Sequence, residues 1–400
     1  MTYYEWLWRH NRARHAMWLL TLTMLAGLPL VSSTAMAQTS GASPTVGTLQ
    51  GTVRAAVTDV PLPYAVIAIP ALAIERFSGP NGTFLLGNVP VGSHEVVIRR
   101  LGFVPDRRTV TITTAQTTVL DVRLTQVPVR LSSMLVRSAE PCRSPGLPDS
   151  ARFPEVAQLV GLLRENADRY RLLVKQYPFA YVQTRATGQL IDRGLIIQHV
   201  DSIRVSGASS VQYRPGNVVR RDRSGGRDEY RMHLPTLLDL SDAAFLRNHC
   251  FHYAGASTHD DETWFRLDVR ASERLSSPDV HGAFFLDSAT AQLRRMELEM
   301  SRPGRLPSTL RTIRAVQVTT QFLEIAPGVS LIDNVCAVNW IKGRGPLAQH
   351  AAELQQVLVY AFSAPPPDIL PQGQRATPPW RRGVSVPRTA LSCVPPDDGS

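Results

Sequence analysis

The sequence predicts a mainly β protein, in which a small N-terminal β-sandwich is followed by a larger antiparallel β domain with one or two helices. Three observations lead to this prediction. Between Gly47 and Leu124, apolar and polar residues alternate as they do along half-buried strands. From Pro154 to Gln176 the apolar residues instead recur at helical spacing. After Tyr177 the alternation returns and continues to about Ser363.

Residues 1–37 predict a secretory signal peptide. Arg9, Arg12 and Arg14 give a basic start, an apolar stretch follows, and the small residues Ala35 and Ala37 flank Met36 at a cleavage site. An uncleaved N-terminal anchor is the alternative. Later segments fall short of the roughly 18 continuous apolar residues that a membrane-spanning helix needs. We therefore expect an exported chain without a membrane span after cleavage.

Short strands separated by turn residues predict the sandwich, which follows a polar linker at residues 38–46. Some six or seven strands in about 80 residues, without a helical stretch, are typical of a small β-sandwich. The dipeptide Asn81-Gly82 predicts a tight hairpin, because such turns need positive φ. Pro90 and Gly92 predict a second corner, so we expect two hairpins here.

Residues 47–125 resemble the carboxypeptidase regulatory-like domain. The resemblance rests on a G-x-V strand, a P-L-x-x-A-x-V segment and an N-G-x-F turn that leads to V-P-x-G; these are "GTLQGTVRAAVTDVPLPYAVIAI", "SGPNGTFLLGNVPVGSHEVVIRRLGF" and "TTVLDVRLTQ". It implies a transthyretin-like sandwich, often an accessory module of bacterial envelope proteins and sometimes grouped with carbohydrate-binding folds. Val60 replaces the usual glycine before the Pro-Leu pair, so that turn is expected to be wider.

A linker is predicted at residues 126–150. Its segment "PVRLSSMLV", residues 128–136, resembles the connection between this domain and the plug of TonB-dependent receptors. This second resemblance implies an accessory role in TonB-dependent uptake, although no plug or large barrel follows it.

The larger domain is predicted at residues 151–363. It begins with the helix from Pro154 and continues with long strands, a hairpin from Gly282 to Ser301, and a second short helix from Pro235 to Asn248. This order is similar to the curved half-barrel of periplasmic lipoprotein carriers. Many other antiparallel sheets covered by a helix fit the same pattern.

The proline-rich tail, residues 364–400, has too little apolar surface to fold alone. It either lies over the larger domain or is disordered. In an oxidising compartment the four cysteines predict two disulfides. We expect Cys142 to pair with Cys393, tying the two flanks together, and Cys250 to pair with Cys336; free buried thiols are the alternative.

The chain has a formal charge of +10, and about +8 remains without the signal segment, which holds three Arg and one Glu. An exported chain meets anionic envelope surfaces rather than nucleic acid, so we expect no nucleic-acid partner. Six arginines and three acids lie between Arg214 and Arg231. This segment is predicted as a solvated loop, with contact to anionic lipid or polysaccharide as the alternative.

Candidate metal ligands occur in three places. His259 and Glu262, like His350 and Glu353, have the His-x-x-Glu spacing of metallocarboxypeptidases, and His249, Cys250 and His252 form a cluster. The first pair lies in an acidic loop before a strand, and no histidine follows the second, so a solvated loop or strand edge explains both. The cluster lacks a second ligand pair at zinc spacing. The sequence also contains neither G-x-S-x-G nor a phosphate-binding loop. We therefore expect no catalytic site, no metal and no cofactor.

The function predicted from these patterns is a non-catalytic envelope protein, periplasmic or outer-membrane associated, that binds or scaffolds through its sandwich. Its partner would be an envelope protein, a glycan or a lipid. The alternatives are a periplasmic carrier of lipid or lipoprotein, the TonB-linked accessory, and a hydrolase that would depend on His252 or Glu262.

Overall fold

The computed structural model describes residues 45–127, 141–209, 212–224, 227–259, 261–342, 350–367 and 379–394. The predicted signal peptide, the segment at residues 128–136 and Asp260 lie outside these residues. Within them the protein is mainly β, with an N-terminal sandwich and a larger antiparallel domain, which confirms the predicted fold class.

The sandwich consists of two four-stranded sheets. In the first, β1 (Val46–Ala55) lies between β4 (Thr83–Pro90) and the short strands β7 (Thr117–Val119) and β8 (Val122–Leu124). The second contains β2 (Val66–Ile69), β3 (Ile74–Phe77), β5 (Gly92–Arg99) and β6 (Asp106–Ile112) in the order β3-β2-β5-β6. The alternating residues predicted to face inwards, such as Leu49, Val53 and Ile98, are fully buried between the two sheets.

The two predicted hairpins are wrong. Gly82 has the positive φ expected of its turn, 71°, but β3 and β4 belong to different sheets. The corner at Pro90 likewise leads from β4 in one sheet to β5 in the other. A turn residue fixes how sharply the chain reverses, whereas burial of the inner faces decides which strands pair.

The helix α1 (Pro154–Gln176) has the bounds that the sequence predicted. Pro154 stands at the first turn, where its missing N–H costs no helical hydrogen bond. Glu155 near the start and Lys175 near the end favour the helix dipole. The apolar face is buried, including Leu159, Leu163 and Leu173.

Twelve strands follow α1 among the residues that the structure describes. They are β9 (Phe179–Ile191), β10 (Gly194–Ser206), β11 (Val219–Ser224), β12 (Arg227–Met232), β13 (His249–His259), β14 (Glu262–Ala271), β15 (Val280–Asp287), β16 (Leu293–Met300), β17 (Ile313–Ala326), β18 (Val329–Ile341), β19 (His350–Phe362) and β20 (Ser385–Pro387). Ten form one antiparallel sheet, in the order β13-β14-β15-β16-β17-β18-β19-β9-β10-β20, and β11 pairs with β12 as a separate hairpin.

The predicted helix from Pro235 to Asn248 is instead two short pieces. A 3-10 turn at Leu237–Ser241 is capped by Thr236 and Asp239, and α2 (Ala243–Leu246) begins anew after Asp242. Asp242 is in an extended conformation and its side chain accepts a hydrogen bond from the Ala244 N–H. Aspartate favours caps over helix interiors because its side chain competes for backbone N–H groups, which explains the break.

The ten-stranded sheet has two different faces. The inner face packs against α1 and holds most of the domain core, including Leu267, Phe284 and Leu331. The outer face is covered in part by the tail, whose described residues 379–394 include β20. Leu391 and Val394 of the tail pack there against Ala186, Ile197 and Leu354. This part of the tail therefore lies over the larger domain, which was one of the two arrangements predicted for it.

All four cysteines form disulfides, but the predicted pairing is wrong. The bridges join Cys142 to Cys250 and Cys336 to Cys393. Four strands separate β13, which carries Cys250, from β18, which carries Cys336. At ~4.8 Å per strand the two are roughly 24 Å apart, and a bridge needs Cα atoms within about 7 Å. The linker instead runs beside β13, where the His249 carbonyl accepts a hydrogen bond from the Gly146 N–H.

The sandwich is joined to the larger domain by buried arginines. Arg169 of α1 is 1% exposed, and its Nε donates to the Gly328 carbonyl at 2.6 Å in the β17–β18 turn. Its guanidinium lies 5.3 Å from the ring centre of Phe77 in the sandwich. Burial lowers the pKa of Arg169 to about 9 and that of Arg100 in the sandwich to about 10. Burial also raises the pKa of Glu165 against the opposing charges of Arg99 and Arg169.

In the described part of the chain, no helix combines the length and apolar character needed to cross a bilayer.

Candidate functional site

A cavity of about 450 Å³ lies on the inner face of the ten-stranded sheet. Its described lining comes from β9, β10, β16, β17, β18 and β19, from the β11–β12 hairpin and from the segment around residues 306–313, rather than from α1. Pockets of about 300–1,000 Å³ hold most small ligands, so the volume is sufficient for one.

The deep part of the cavity is apolar. It is formed by Leu234, Leu306, Leu310, Ile313, Val318 and Val335, with Met232 and Met300 beside them. Side chains of this kind offer a ligand no hydrogen bonds but a large area for hydrophobic contact. The methionine side chain is flexible, so this part of the lining can adapt to apolar groups of different shape.

The rim of the cavity is polar. Gln198, Asn339 and Ala351 are exposed there, and Thr187, Tyr230 and Arg231 are half-buried. Glu353 also lines the cavity, level with Ala337 and Val318 across the sheet, and its side chain is only 12% exposed. The lining therefore combines mostly buried apolar side chains with more exposed polar ones.

A network of buried polar side chains holds Glu353 in place. The Gln355 amide donates to Glu353 Oε1 at 2.7 Å, and Gln183 donates in turn to Gln355 at 3.0 Å. Arg185 lies 3.9 Å from Glu353 and makes two hydrogen bonds to Asp201, at 2.7 and 3.2 Å. Such a network fixes its members because each buried polar group would be costly if left alone.

The strand register explains why these residues meet. Arg185 on β9 is directly opposite Asp201 on β10 and Gln355 on β19. Glu353 is opposite Thr187 on β9 and Ala337 on β18. Residues opposite one another on antiparallel strands share a face, so this pairing places all of them on the inner face.

The arginine-rich segment between Arg214 and Arg231 is a hairpin, not the predicted solvated loop. Its strands β11 and β12 carry Val219, Tyr230, Arg231 and Met232 to the cavity. Between Arg214 and Arg231 the sequence does not show the alternation of apolar and polar residues typical of strands, because charged residues dominate it. Apolar residues that would have indicated strands stand only at its ends.

A second cluster consists of Tyr213, Gly216, His249 and Asp279. The side chains of Tyr213, His249 and Asp279 are buried. The Tyr213 hydroxyl donates to both Asp279 carboxylate oxygens at 2.8 Å, and the Gly216 N–H donates to Oδ2 at 2.5 Å. His249 Nε2 lies 3.3 Å from Asp279 Oδ1, and both side chains are 0% exposed. A general acid or base must reach a substrate, so this cluster anchors the chain before β11 rather than supplying a reactive site.

The environment of Asp279 favours its charged form. Burial acts to raise the pKa of Asp279, but His249, the Gly216 N–H and the Tyr213 hydroxyl together outweigh it and hold the pKa below its usual value. Burial, with the neighbouring Asp279 charge, raises the pKa of Tyr213, which keeps the hydroxyl protonated as a donor.

Of the two sequence-predicted His-x-x-Glu pairs, the structure brings only His259 and Glu262 side by side, directly opposite each other on β13 and β14. His350 and Glu353 stand three residues apart on β19, so their side chains point to opposite faces. Glu262 accepts hydrogen bonds from Trp264 at 2.8 Å and Arg294 at 3.1 Å, and His259 stacks on Trp264 with ring centres 4.4 Å apart.

The predicted His-Cys-x-His cluster is also divided between faces. His249 points inwards to Asp279, Cys250 is in a disulfide, and His252 is opposite Asp268 on the other face. Among the residues that the structure describes, no group of three or more His, Cys, Asp or Glu side chains is arranged to hold a metal ion.

The outer face also has a groove, of about 440 Å³, beside the tail. Its lining is charged and contains two ion pairs, Arg266 with Asp268 at 2.7 Å and Arg295 with Glu297 at 2.6 Å. The inner cavity differs from this groove because a ligand could bury apolar surface against its apolar residues without breaking ion pairs.

The sandwich matches a known family. Residues 48–125 agree with the family model of the carboxypeptidase regulatory-like domain. This part of the chain is a carboxypeptidase regulatory-like domain. The match confirms the predicted resemblance, and the regulatory-like domain ends where the linker to the larger domain begins. Among curated proteins, no sequence matches the chain.

Three solved structures are similar to the chain at low levels. A LolA superfamily protein from Nitrosomonas europaea is 8% identical, with 53% of this chain and 94% of that chain covered and a TM-score of 0.27. An outer membrane lipoprotein-sorting protein domain from Vibrio parahaemolyticus is 9% identical, with 55% and 96% covered and a TM-score of 0.30. A DUF1329 family protein from Desulfovibrio piger is 10% identical, with 51% and 93% covered and a TM-score of 0.28.

Sequence reasoning missed most of the cavity. Glu353 drew attention only as half of a metal motif, and Met232, Leu306 and Leu310 stand in segments that the alternation did not assign. The inward alternation of β18, with Val335 and Ala337 on one face, is the signal that could have indicated part of it.

Proposed function

We propose that the protein is a non-catalytic, exported envelope protein that binds an amphiphile, a lipid or the lipid anchor of a lipoprotein, in the inner-face cavity. The observation that carries this proposal is the change from an apolar depth, around Leu310 and Val318, to a polar rim at Gln198 and Asn339. An acyl chain would gain ~0.8 kcal/mol for each methylene that it buries, while the head of the molecule stays at the rim.

The regulatory-like domain is packed against the larger domain. Its residues Tyr64, Val66 and Phe77 pack into the same core as α1, and the Phe77 N–H donates to Gln176 at 3.1 Å. Because these contacts join the sandwich to the helix that covers the inner face, the two domains would carry a ligand as one unit.

A scaffolding role for the regulatory-like domain is the second candidate. One edge of β4 pairs with β1, and among the described strands none pairs with the other edge. Leu85 on this strand is 65% exposed. An uncovered edge with an apolar side chain is suited to adding a strand from a partner protein.

Native mass spectrometry of the mature protein, purified gently from the periplasm, tests the first candidate. We expect an additional lipid-sized mass that mild organic extraction removes. A chain that carries no such mass, and that also takes up no lipid when mixed with it, would contradict amphiphile binding and favour the scaffolding role.

A cavity-filling substitution gives a sharper test. Ala337 lines the cavity, so Ala337→Phe should occupy part of it and weaken binding of a fluorescent single-chain lipid at least tenfold, which corresponds to about 1.4 kcal/mol. The matched control is Ala361→Phe on β19, where the side chain is exposed and lies away from the cavity. Equal affinities for the two variants, by fluorescence titration, would place the ligand elsewhere.

A further inference from the structure

We infer that the end of the ten-stranded sheet at which the cavity meets solvent docks onto a bilayer surface that contains anionic lipids. The inference goes beyond the proposed function, because it names a surface and a partner outside the cavity. It rests on where the strands end, on a group of unpaired cations there, and on exposed apolar side chains beside them.

The neighbouring strands β17, β18, β19, β9 and β10 all begin or end at this end of the sheet. Gln189 on β9 is opposite both Ile196 on β10 and Ala351 on β19, and Ala351 is opposite Asn339 on β18. Ala351, Asn339 and Gln198, which follows Ile196 on β10, are the exposed residues of the described cavity lining. The cavity therefore meets solvent at this end.

The sandwich lies towards the opposite end of the sheet. Arg100 of the sandwich and Arg169 of α1 both contact Gly328, in the turn where β17 ends and β18 begins. That turn is a full strand length away from the start of β17 and the end of β18. Docking through the other end would therefore hold the sandwich away from the bilayer.

Exposed cations are numerous at the cavity end. We call it the strand-end surface and define it as the exposed side chains of residues 187–198, 306–316, 339–342, 350–352 and 379–386. Its exposed basic residues are Arg193, Arg311, Arg314, Lys342, Arg381 and Arg382. In the described part of the chain, none of the six donates a side-chain hydrogen bond or forms an ion pair. They are therefore available to anions from outside the protein.

Carboxylates do not balance these cations. The same stretches of sequence contain a single one, Asp192. Glu299 borders a groove together with Arg314, but it is half-buried and accepts a hydrogen bond from the Gln317 amide at 3.1 Å. The strand-end surface therefore has an excess of positive charge, which attracts an anionic surface.

Exposed aliphatic side chains accompany the cations. Ile191, Ile196 and Val384 are 38%, 39% and 48% exposed, and Ile196 lies in the same row as Ala351 of the cavity lining. Aliphatic groups can enter the boundary between lipid head groups and acyl chains, while arginine binds phosphate through two hydrogen bonds. This combination favours an anionic bilayer surface over a soluble polyanion. Docking would also bring the exposed part of the cavity lining to the bilayer.

Vesicle sedimentation tests the inference. Mature protein is mixed with vesicles of phosphatidylcholine alone, or of phosphatidylcholine with phosphatidylglycerol, at the same total lipid concentration. We expect partitioning to be at least tenfold stronger onto the vesicles with phosphatidylglycerol, and to weaken as salt screens the charges. Equal partitioning onto both kinds of vesicle, or none onto either, would overturn the inference.

Two double variants assign docking to the strand-end surface. Arg381→Gln with Arg382→Gln removes two charges there and should weaken partitioning onto the anionic vesicles at least fivefold. The matched control, Arg107→Gln with Arg123→Gln, removes the same charge from sandwich side chains that are 67% and 68% exposed. It should change partitioning by less than about twofold. If the two double variants partition alike, the protein docks through another surface and the inference is overturned.

These outcomes are separate from those of the proposed function. Vesicle binding does not require an occupied cavity, so Ala337→Phe should dock as well as the unmodified protein. Docking without amphiphile binding would support the strand-end surface and contradict the cavity. Amphiphile binding without docking would overturn this inference and leave the proposed function in place.

Discussion

Replacing Asp279 by alanine should lower the free energy of unfolding by about 3–5 kcal/mol, the usual effect of breaking a buried charged pair. The variant leaves the Tyr213 hydroxyl, the Gly216 N–H and the His249 imidazole without their common acceptor. Tyr213→Phe removes one donor only and should cost less, about 1–3 kcal/mol. Urea unfolding, monitored by circular dichroism, measures both.

A surface carboxylate provides the control for this prediction. Asp268 on the outer face pairs with the exposed Arg266 at 2.7 Å, so Asp268→Ala should change stability by no more than about 1 kcal/mol. If Asp279→Ala is as mild as this control, the buried cluster is not an anchor of the fold.

The same residue should make stability depend on pH in the acid range. The pKa of Asp279 in the folded protein lies below its ordinary value of 3.8. Its ionised form therefore stabilises the native state above about pH 4, and this contribution is lost as the pH falls through the folded pKa. Unmodified protein should lose stability more steeply below pH 4 than Asp279→Ala does. Parallel curves for the two proteins would contradict the assigned shift.

Removal of the Cys142–Cys250 bridge should lower the free energy of unfolding by about 2–5 kcal/mol, the usual cost of losing a native disulfide. The cysteines are separated by 108 residues, so their bridge restricts a long loop of the unfolded chain. The double variant Cys142→Ser, Cys250→Ser should keep the Cys336–Cys393 bridge and show no free thiol. Urea unfolding and thiol titration give the two readings.

A mismatched double variant tests the pairing itself. Cys142→Ser with Cys393→Ser breaks both observed bridges and leaves Cys250 and Cys336 on strands too far apart to join. We expect two free thiols and a loss of stability larger than in the matched variant. One remaining bridge and no free thiol would instead support the pairing predicted from the sequence.

Several elements were predictable because their signals are local. The bounds of α1 follow from apolar spacing and from Pro154 at its start, and both belong to adjacent residues. The sandwich was recognised from the strand and turn motifs of residues 47–125, which the family match at 48–125 confirms. Glu353 was noticed as well, although for a metal motif whose two residues point to opposite faces of β19.

The strand pairing of the sandwich, the disulfides and the cavity were not predictable in the same way, although the hairpin predicted from Gly282 to Ser301 is confirmed by the pairing of β15 with β16. Asn81-Gly82 specifies a sharp turn, but the partner of the next strand depends on residues far along the chain, such as β1 opposite β4. Cys250 and Cys336 both lie beside predicted strands, which favoured their pairing. The sheet order places four strands between β13 and β18, and nothing local in the sequence indicates that order.

By itself, the sequence determined the fold class, the helix and the family of the N-terminal domain, because alternation, helical spacing and turn chemistry act between near neighbours. The tertiary structure alone decided the strand order, the disulfide pairing and the cavity in which Glu353 and Arg231 face a common space. These features depend on which distant strands lie side by side, and that choice is made by burial of whole sheet faces rather than by any single segment.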